Sequence, residues 1–409
     1  MIYEIKAPCS FNGSVVLPAS KSISNRLLII QALAKNEGAI NNLSDCDDTN
    51  VMHDAFSNNP YLIDIKAAGT AMRFLTAYLS LSEGETHVIT GTERMRNRPI
   101  SILVNALRAL GADITYQEKD GYPPLLIKGC KMNGGKLELP GNVSSQYISA
   151  LLMIAPYLPG GLLLELTGTI VSRPYINLTI NLMKDCGADV QWINDHTLKV
   201  NKCHYNTQSI TVENDWSASS YWYEIAVLSN KARIELPGLL AHSYQGDSAI
   251  KDFFTQLGVT TKYTPSGILI EKEKAINMNE LHLDFVNQPD LAQTLVVTTA
   301  LMNIPFHFTG LQSLKIKETD RIAALINEMR KIGYVIKEKE EGSLCWENER
   351  CEPTNEAILT YQDHRMAMAF APASLKIGSI RIDSPSVVSK SYPHYWEELK
   401  RQNFIIGEI

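Results

Sequence analysis

The chain has 409 residues, is 45% hydrophobic and 20% charged, and carries a formal net charge of −6. That length exceeds what one hydrophobic core usually serves, so two domains are expected. No apolar run approaches the roughly 18–20 residues of a membrane span, and the acidic balance argues against general nucleic-acid binding. Neither a membrane nor a nucleic acid is therefore an expected partner.

Met1–Ser10 reads as a strand, with Ile2, Ile5 and Ala7 set among polar residues. It lacks the basic and long apolar regions of a signal peptide, so a cytoplasmic location is expected. A helix starts at Asp47 and runs to Phe56, where Asn58-Asn59-Pro60-Tyr61 breaks it. Further along, one pattern recurs four times: an amphipathic helix stops at a glycine and a short strand follows. The glycines are Gly111, Gly187, Gly258 and Gly333, spaced by 76, 71 and 75 residues. Glycine suits the left-handed position that ends a helix. The segments after them, such as 112–116, 188–192, 259–263 and 334–338, alternate and carry β-branched or aromatic side chains, as strands do. A period that long marks a repeated unit of helices and strands. The stretch between Asp48 and Ala67 is too short for a full unit, so one repeat in the first half is expected to lack a strand or hairpin. The boundary between halves is placed near Val212–Glu213.

The seven cysteines are scattered, with no Cys-x-x-Cys pair and none at zinc spacing with a histidine. They read as reduced thiols, and no metal site is expected.

Seven segments place small or polar residues just before an apolar helix, each with a cation or amide donor nearby. They are 20–26, 68–73, 144–147, 172–175, 289–292, 317–321 and 363–366. Ser and Thr cap helix starts and Pro fits the first turn. A helix start offers unpaired N–H groups and the positive dipole end, which favour phosphate or carboxylate. Any one of these segments alone is an ordinary cap. Three arginines at 94–98 alone would be a solvated basic turn, and Lys317-Glu318-Thr319-Asp320-Arg321 could be an exposed charged first turn. Asp363-His364-Arg365 is different, because it adjoins a fully apolar helix that must be buried. With Lys21, Arg26, Arg98, Lys317, Arg321, Arg365 and Lys390, the set suits a ligand, or two ligands, with several negative charges.

Taken in order, from Leu17-Pro18-Ala19-Ser20-Lys21-Ser22 to Ser389-Lys390-Ser391-Tyr392-Pro393, these segments resemble the 5-enolpyruvylshikimate-3-phosphate synthase family of enolpyruvyl transferases. The resemblance covers almost the whole chain. It implies an α/β fold, a two-domain inside-out α/β barrel in which each domain holds three βαβαββ repeats. The first domain would span 20–212 and the second 1–19 with 213–409, and the two would close over the substrates. The resemblance also implies a monomer without a cofactor. Its reaction moves the enolpyruvyl group of phosphoenolpyruvate to the 5-hydroxyl of shikimate 3-phosphate.

Residue by residue, the resemblance implies a shikimate 3-phosphate shell of Lys21, Ser22, Arg26, Ser144, Ser145, Gln146, Ser172, Tyr175, Asp290, Ser313 and Lys317. It implies a phosphoenolpyruvate shell of Lys21, Gly69, Arg98, Gln146, Arg321, His364, Arg365 and Lys390. Arginine's planar fork suits carboxylate and phosphate. The catalytic candidates are Asp290 as base at the 5-hydroxyl, Glu318 as acid to the methylene, and Lys21 at the leaving phosphate. His364 would tune Glu318 or the arginines. Three positions depart from the family pattern: Ala67 and Phe74 near the phosphoenolpyruvate groups, where they bear on donor affinity and glyphosate response, and Ser313, where relatives carry Asn. The sister transferase acting on UDP-N-acetylglucosamine is disfavoured, since loop 94–98 lacks that enzyme's reactive cysteine. A catalytically dead relative is disfavoured because both carboxylates and every expected cation are present.

Overall fold

The computed structural model describes residues 1–35, 38–272 and 276–409. It divides into two compact units, Ala19–Val212 and Met1–Pro18 with Glu213–Ile409. All four helix-stopping glycines adopt the left-handed backbone, with φ of 105° at Gly111, 84° at Gly187, 86° at Gly258 and 93° at Gly333. There a Cβ would strain the turn, so the chain reverses into the next strand at low cost.

The repeat is visible in the sheet pairing. In unit Ala19–Val212, strand Gly135–Pro140 runs parallel to Leu162–Thr167, with the helix Ser145–Ile154 between them in the chain. The helix Arg173–Asp185 then leads to the hairpin Val190–Trp192/Thr197–Val200, whose second strand pairs antiparallel with Leu162–Thr167. The same plan recurs with Leu62–Asp64, Thr86–Thr90, Asp113–Tyr116 and Leu125–Lys128. The third sheet of this unit has only two strands, Ile40–Asn41 parallel to Ile210–Thr211. Its helices Lys21–Ala34 and Asp47–Asn58 are present, and among the described residues no closing hairpin completes the sheet. This is the shortened repeat.

In the other unit, strand Ser10–Ser14 pairs parallel with Lys231–Pro237 and Leu281–Asp284 with Phe306–Thr309. The third sheet there joins the chain ends, Ile2–Lys6 lying between Ile380–Asp383 and Ile405–Glu408. One expected strand is broken. Segment 334–338 forms only isolated bridges, Tyr334 with Arg350 and Lys337 with Cys345. Three steps on one side face five on the other, so a bulge interrupts the ladder.

Within each unit some helices are interior and others, such as Asp47–Asn58, bury only one face. All ten residues of Ala292–Leu301 are buried, as are all seven of His364–Phe370. The strands alternate instead; Lys231–Pro237 buries Ala232, Ile234 and Leu236 and exposes the residues between. Burying each Leu or Val of such a helix stabilises it by about 1.5–3 kcal/mol. The helices that start at Gly69, Ser145 and Ala292 each follow a strand by a short connection, Leu62–Asp64, Gly135–Pro140 and Leu281–Asp284.

Candidate active site

In unit Ala19–Val212 the interior helices start at Lys21, Gly69 and Ser145. Ser20 caps the first, accepting from Ile23 N at 3.4 Å, and Ser144 caps the third, accepting from Gln146 N at 3.3 Å. Gln146 Nε2 donates to Thr70 Oγ1 at 3.1 Å, which ties two helix starts together. Lys21 pairs with Asp48 on the neighbouring helix at 3.3 Å. Ser172 does not cap its helix; it holds a left-handed φ of 55° and is buried. Tyr175 lies one turn further and is half-buried.

Arg26 is only 3% exposed. Its guanidinium donates to Thr179 Oγ1 at 2.7 Å, Ser22 O at 2.8 Å, Ser149 Oγ at 3.3 Å and Tyr175 O at 3.4 Å. These acceptors are neutral, and burial pushes its pKa down to about 10. A cation held this way favours an arriving anion. At the start of the second helix, a Cβ on Gly69 would stand 2.8 Å from both Arg73 Nη1 and Arg98 Nη1. Only glycine lets the Arg98 guanidinium lie against this helix start.

The other unit gathers the charged groups from four places in the sequence. Asp290 is the middle residue of the turn Pro289–Leu291 before helix Ala292–Leu301, Asp320 caps helix Arg321–Lys331, and Asp363 caps helix His364–Phe370. Arg321, nearly fully buried, donates from Nε to Asp363 at 2.7 Å, from Nη1 to Asp290 at 3.0 Å and from Nη2 to Glu318 at 2.9 Å. Arg365 Nη2 reaches Asp290 Oδ2 at 3.1 Å and its Nη1 reaches Asp290 O at 3.1 Å. Lys317 stands 3.5 Å from Asp290, and Lys390 lies 3.3 Å from Glu318. His364 Nδ1 is 3.7 Å from Asp363. Ser313 is half-buried in the short turn Gln312–Ile316 just before Lys317.

Residues 317–319 stand outside the helix, which begins at Arg321. The exposed-turn reading of this segment fails for Arg321, since that side chain is buried among carboxylates. Burial alone would raise the Asp290 carboxyl, but the charges of Arg365, Lys317 and Arg321 outweigh it and hold Asp290 well below the usual carboxylate range. Burial would lower Arg321, and Asp363, Glu318 and Asp290 together raise it well above its ordinary value.

The cluster thus brings together Asp290, Lys317, Glu318, Arg321, His364, Arg365 and Lys390, with Asp363 as a further member, while Ser313 is near it in the chain only, four residues before Lys317. The unit Ala19–Val212 brings together Lys21, Ser22, Arg26, Ser172 and Tyr175, and links Gln146 to the turn holding Gly69. Reading the sequence missed three partners: Asp48 for Lys21, Thr70 for Gln146 and Asp363 for Arg321. The signal for Asp363 was at hand, since a carboxylate beside a fully buried helix needs a cation.

A family model described as EPSP synthase (3-phosphoshikimate 1-carboxyvinyltransferase) matches residues 5–58 and 56–399. The chain belongs to the EPSP synthase family. A Bacteroides fragilis protein named 3-phosphoshikimate 1-carboxyvinyltransferase is 58% identical over 405 residues, covering 99% of this chain and 98% of that relative. A Histophilus somni protein of the same name is 35% identical over 423 residues, covering 95% and 96%. The solved EPSP synthase of Acinetobacter baumannii matches with a TM-score of 0.81 at 20% identity, covering all of both chains, and so shares the fold. Membership of the EPSP synthase family agrees with the α/β repeats and with the two units. No helix among the described residues is long and apolar enough to cross a membrane.

Proposed function

We propose that this chain transfers the enolpyruvyl group of phosphoenolpyruvate to the 5-hydroxyl of shikimate 3-phosphate, releasing phosphate, in the shikimate pathway of aromatic amino-acid biosynthesis. The observation that carries the assignment of roles is the Asp290–Arg321–Glu318 contact set, two carboxylates of different environment on one buried guanidinium. The reaction needs a proton delivered to the donor's methylene carbon while the 5-oxygen bonds to C2. The tetrahedral intermediate then expels phosphate and gives up a methyl proton, restoring the double bond.

Asp290 is the base at the 5-hydroxyl. Its ionised form is favoured by three cations, which also makes it a weak base in the free protein. Anionic substrates would draw Lys317 and Arg365 toward their own oxygens. That would raise the carboxyl toward the range where it accepts a proton. Glu318 is the acid to the methylene, with Lys390 beside it. Arg321, Arg365 and Lys390 hold the donor's charged groups together with Gly69, Arg98 and Gln146, and His364 adjusts that shell. Lys21, released from Asp48, serves both substrates and assists the leaving phosphate. Ser22, Arg26, Ser144, Ser145, Ser172, Tyr175, Ser313 and Lys317 hold shikimate 3-phosphate, with Arg26 supplying a buried positive charge. Residues 20–212 serve mainly the acceptor, and residues 1–19 with 213–409 complete the donor site. We assign the protein to the cytoplasm as a monomer.

The test is product identity. Phosphorus and carbon NMR of the purified protein with both substrates should show an enolpyruvyl ether on the 5-oxygen. Phosphate without the ether would indicate hydrolysis and overturn the reading.

A further inference from the structure

The segment 357–363 delivers Asp363, His364 and Arg365 to the charged cluster, and its path is unusual. Tyr361 and Gln362 hold φ of 52° and 55° in succession. Bulky L-residues rarely adopt this left-handed backbone, and they persist there only where surrounding contacts fix them. On one side the segment is bonded to a strand, with Ile358 N donating to Arg381 O at 2.8 Å and Asp383 N to Ile358 O at 2.9 Å.

On the other side stands the helix Arg321–Lys331. Glu328, fully buried, accepts from Tyr361 Oη at 2.7 Å and from Leu359 N at 2.9 Å. Its carboxylate also pairs with Lys331 at 2.7 Å, and Lys331 Nζ donates to Ala357 O at 3.0 Å. The same helix holds Asp363 through Arg321 at its start. One helix therefore grips the segment at two levels, two turns apart, and the left-handed pair lies between the grips. A buried carboxylate is costly unless such partners repay it, and an apolar residue would pack there more simply. Its bonds instead fix the backbone that aims Asp363.

We propose that Glu328 and Tyr361 are positioning residues for the donor site, setting the place of Asp363 and through it of Arg321 and Arg365. The inference rests on the enolpyruvyl-transfer reading for which ligand is affected.

The experiment compares the parent with Tyr361→Phe, and with Glu328→Gln, which keeps one acceptor oxygen, well below their melting temperatures. The KM for phosphoenolpyruvate should rise roughly tenfold in Tyr361→Phe, since small misplacements of a binding group are felt strongly, and less in Glu328→Gln. The KM for shikimate 3-phosphate should rise clearly less, because Lys21, Ser22, Arg26, Ser144, Ser172 and Tyr175 belong to the other unit and Asp290, Ser313 and Lys317 alone of its groups belong to this one. A lowered melting temperature with the parent's KM for phosphoenolpyruvate, or an equal rise in both KM values, overturns the proposal. If the parent itself turns over neither substrate, the activity reading fails separately. Hydrogen exchange at the amides of 363–365 then decides the positioning claim: faster exchange in Tyr361→Phe supports it, and parent-like exchange overturns it.

Discussion

Arg321 and Asp363 grip each other in the interior of their unit, Nε to Oδ2 at 2.7 Å and Nη2 to Oδ1 at 3.4 Å. Their side chains are 2% and 0% exposed. Water does not screen this pair, so its removal is felt in full. Asp363→Asn keeps the shape and places an amide against the guanidinium. We expect a loss of about 3 kcal/mol in unfolding free energy, read from the denaturant midpoint, together with weaker phosphoenolpyruvate binding. A midpoint equal to the parent's would show that the pair contributes nothing net.

The depressed Asp290 carboxyl sets an acid limit. A carboxylate with a lowered pKa in the folded chain stabilises it fully above the unfolded value, about 3.9. That contribution is lost as the pH falls below this value toward the folded one. Stability measured from pH 6 down to pH 2 should therefore drop more steeply in the parent than in Asp290→Asn. At neutral pH the same variant should turn over at least about a hundredfold more slowly, the usual effect of removing a general base. Parent-like turnover in a folded Asp290→Asn protein would remove Asp290 from the base role.

Gly69→Ala puts a methyl 2.8 Å from the ends of Arg73 and Arg98. Arg98 follows the short helix Glu93–Arg96, is only partly buried and can yield, while buried Arg73 must shift its bond to Gly69 O, so the variant should fold with a modestly lowered melting temperature. The displaced guanidinium should raise the KM for phosphoenolpyruvate by roughly tenfold, the effect of about 1.4 kcal/mol of lost uniform binding. An unchanged KM would show that Arg98 does not serve the donor.

Arg26→Met removes a buried charge whose bonds go to neutral oxygens. Without ligand, stability should change little, since the cost of burying the charge goes with it. Shikimate 3-phosphate at a hundred times its Kd should stabilise the parent by about 2.7 kcal/mol. The same concentration should leave the variant's melting temperature nearly unmoved. An equal shift in both proteins would place the acceptor's anionic groups elsewhere.

Much of this arrangement was legible in the residues. Gly111, Gly187, Gly258 and Gly333 announced the repeat because a left-handed helix end leaves a local mark in the chain. Ser20 and Ser144 announced two helix starts for the same reason. The broken strand at 334–338 was not legible, since its alternation is intact and the bulge arises from the facing segment 345–350. Nor were the pairings of the charges. Arg321 meets Asp290 and Asp363 across 31 and 42 residues, and only the folded chain decides which carboxylate each cation takes. The trimmed repeat could be read from length alone: the two-stranded sheet of Ile40–Asn41 and Ile210–Thr211 is what remains when no hairpin follows the helix Asp47–Asn58.

The most direct measurement is phosphate release from phosphoenolpyruvate by the purified protein in metal-free buffer, with and without shikimate 3-phosphate. The account predicts steady release that begins only when shikimate 3-phosphate is added and is lost in Asp290→Asn. No release from a folded protein that binds shikimate 3-phosphate, or release that ignores it, would contradict the account.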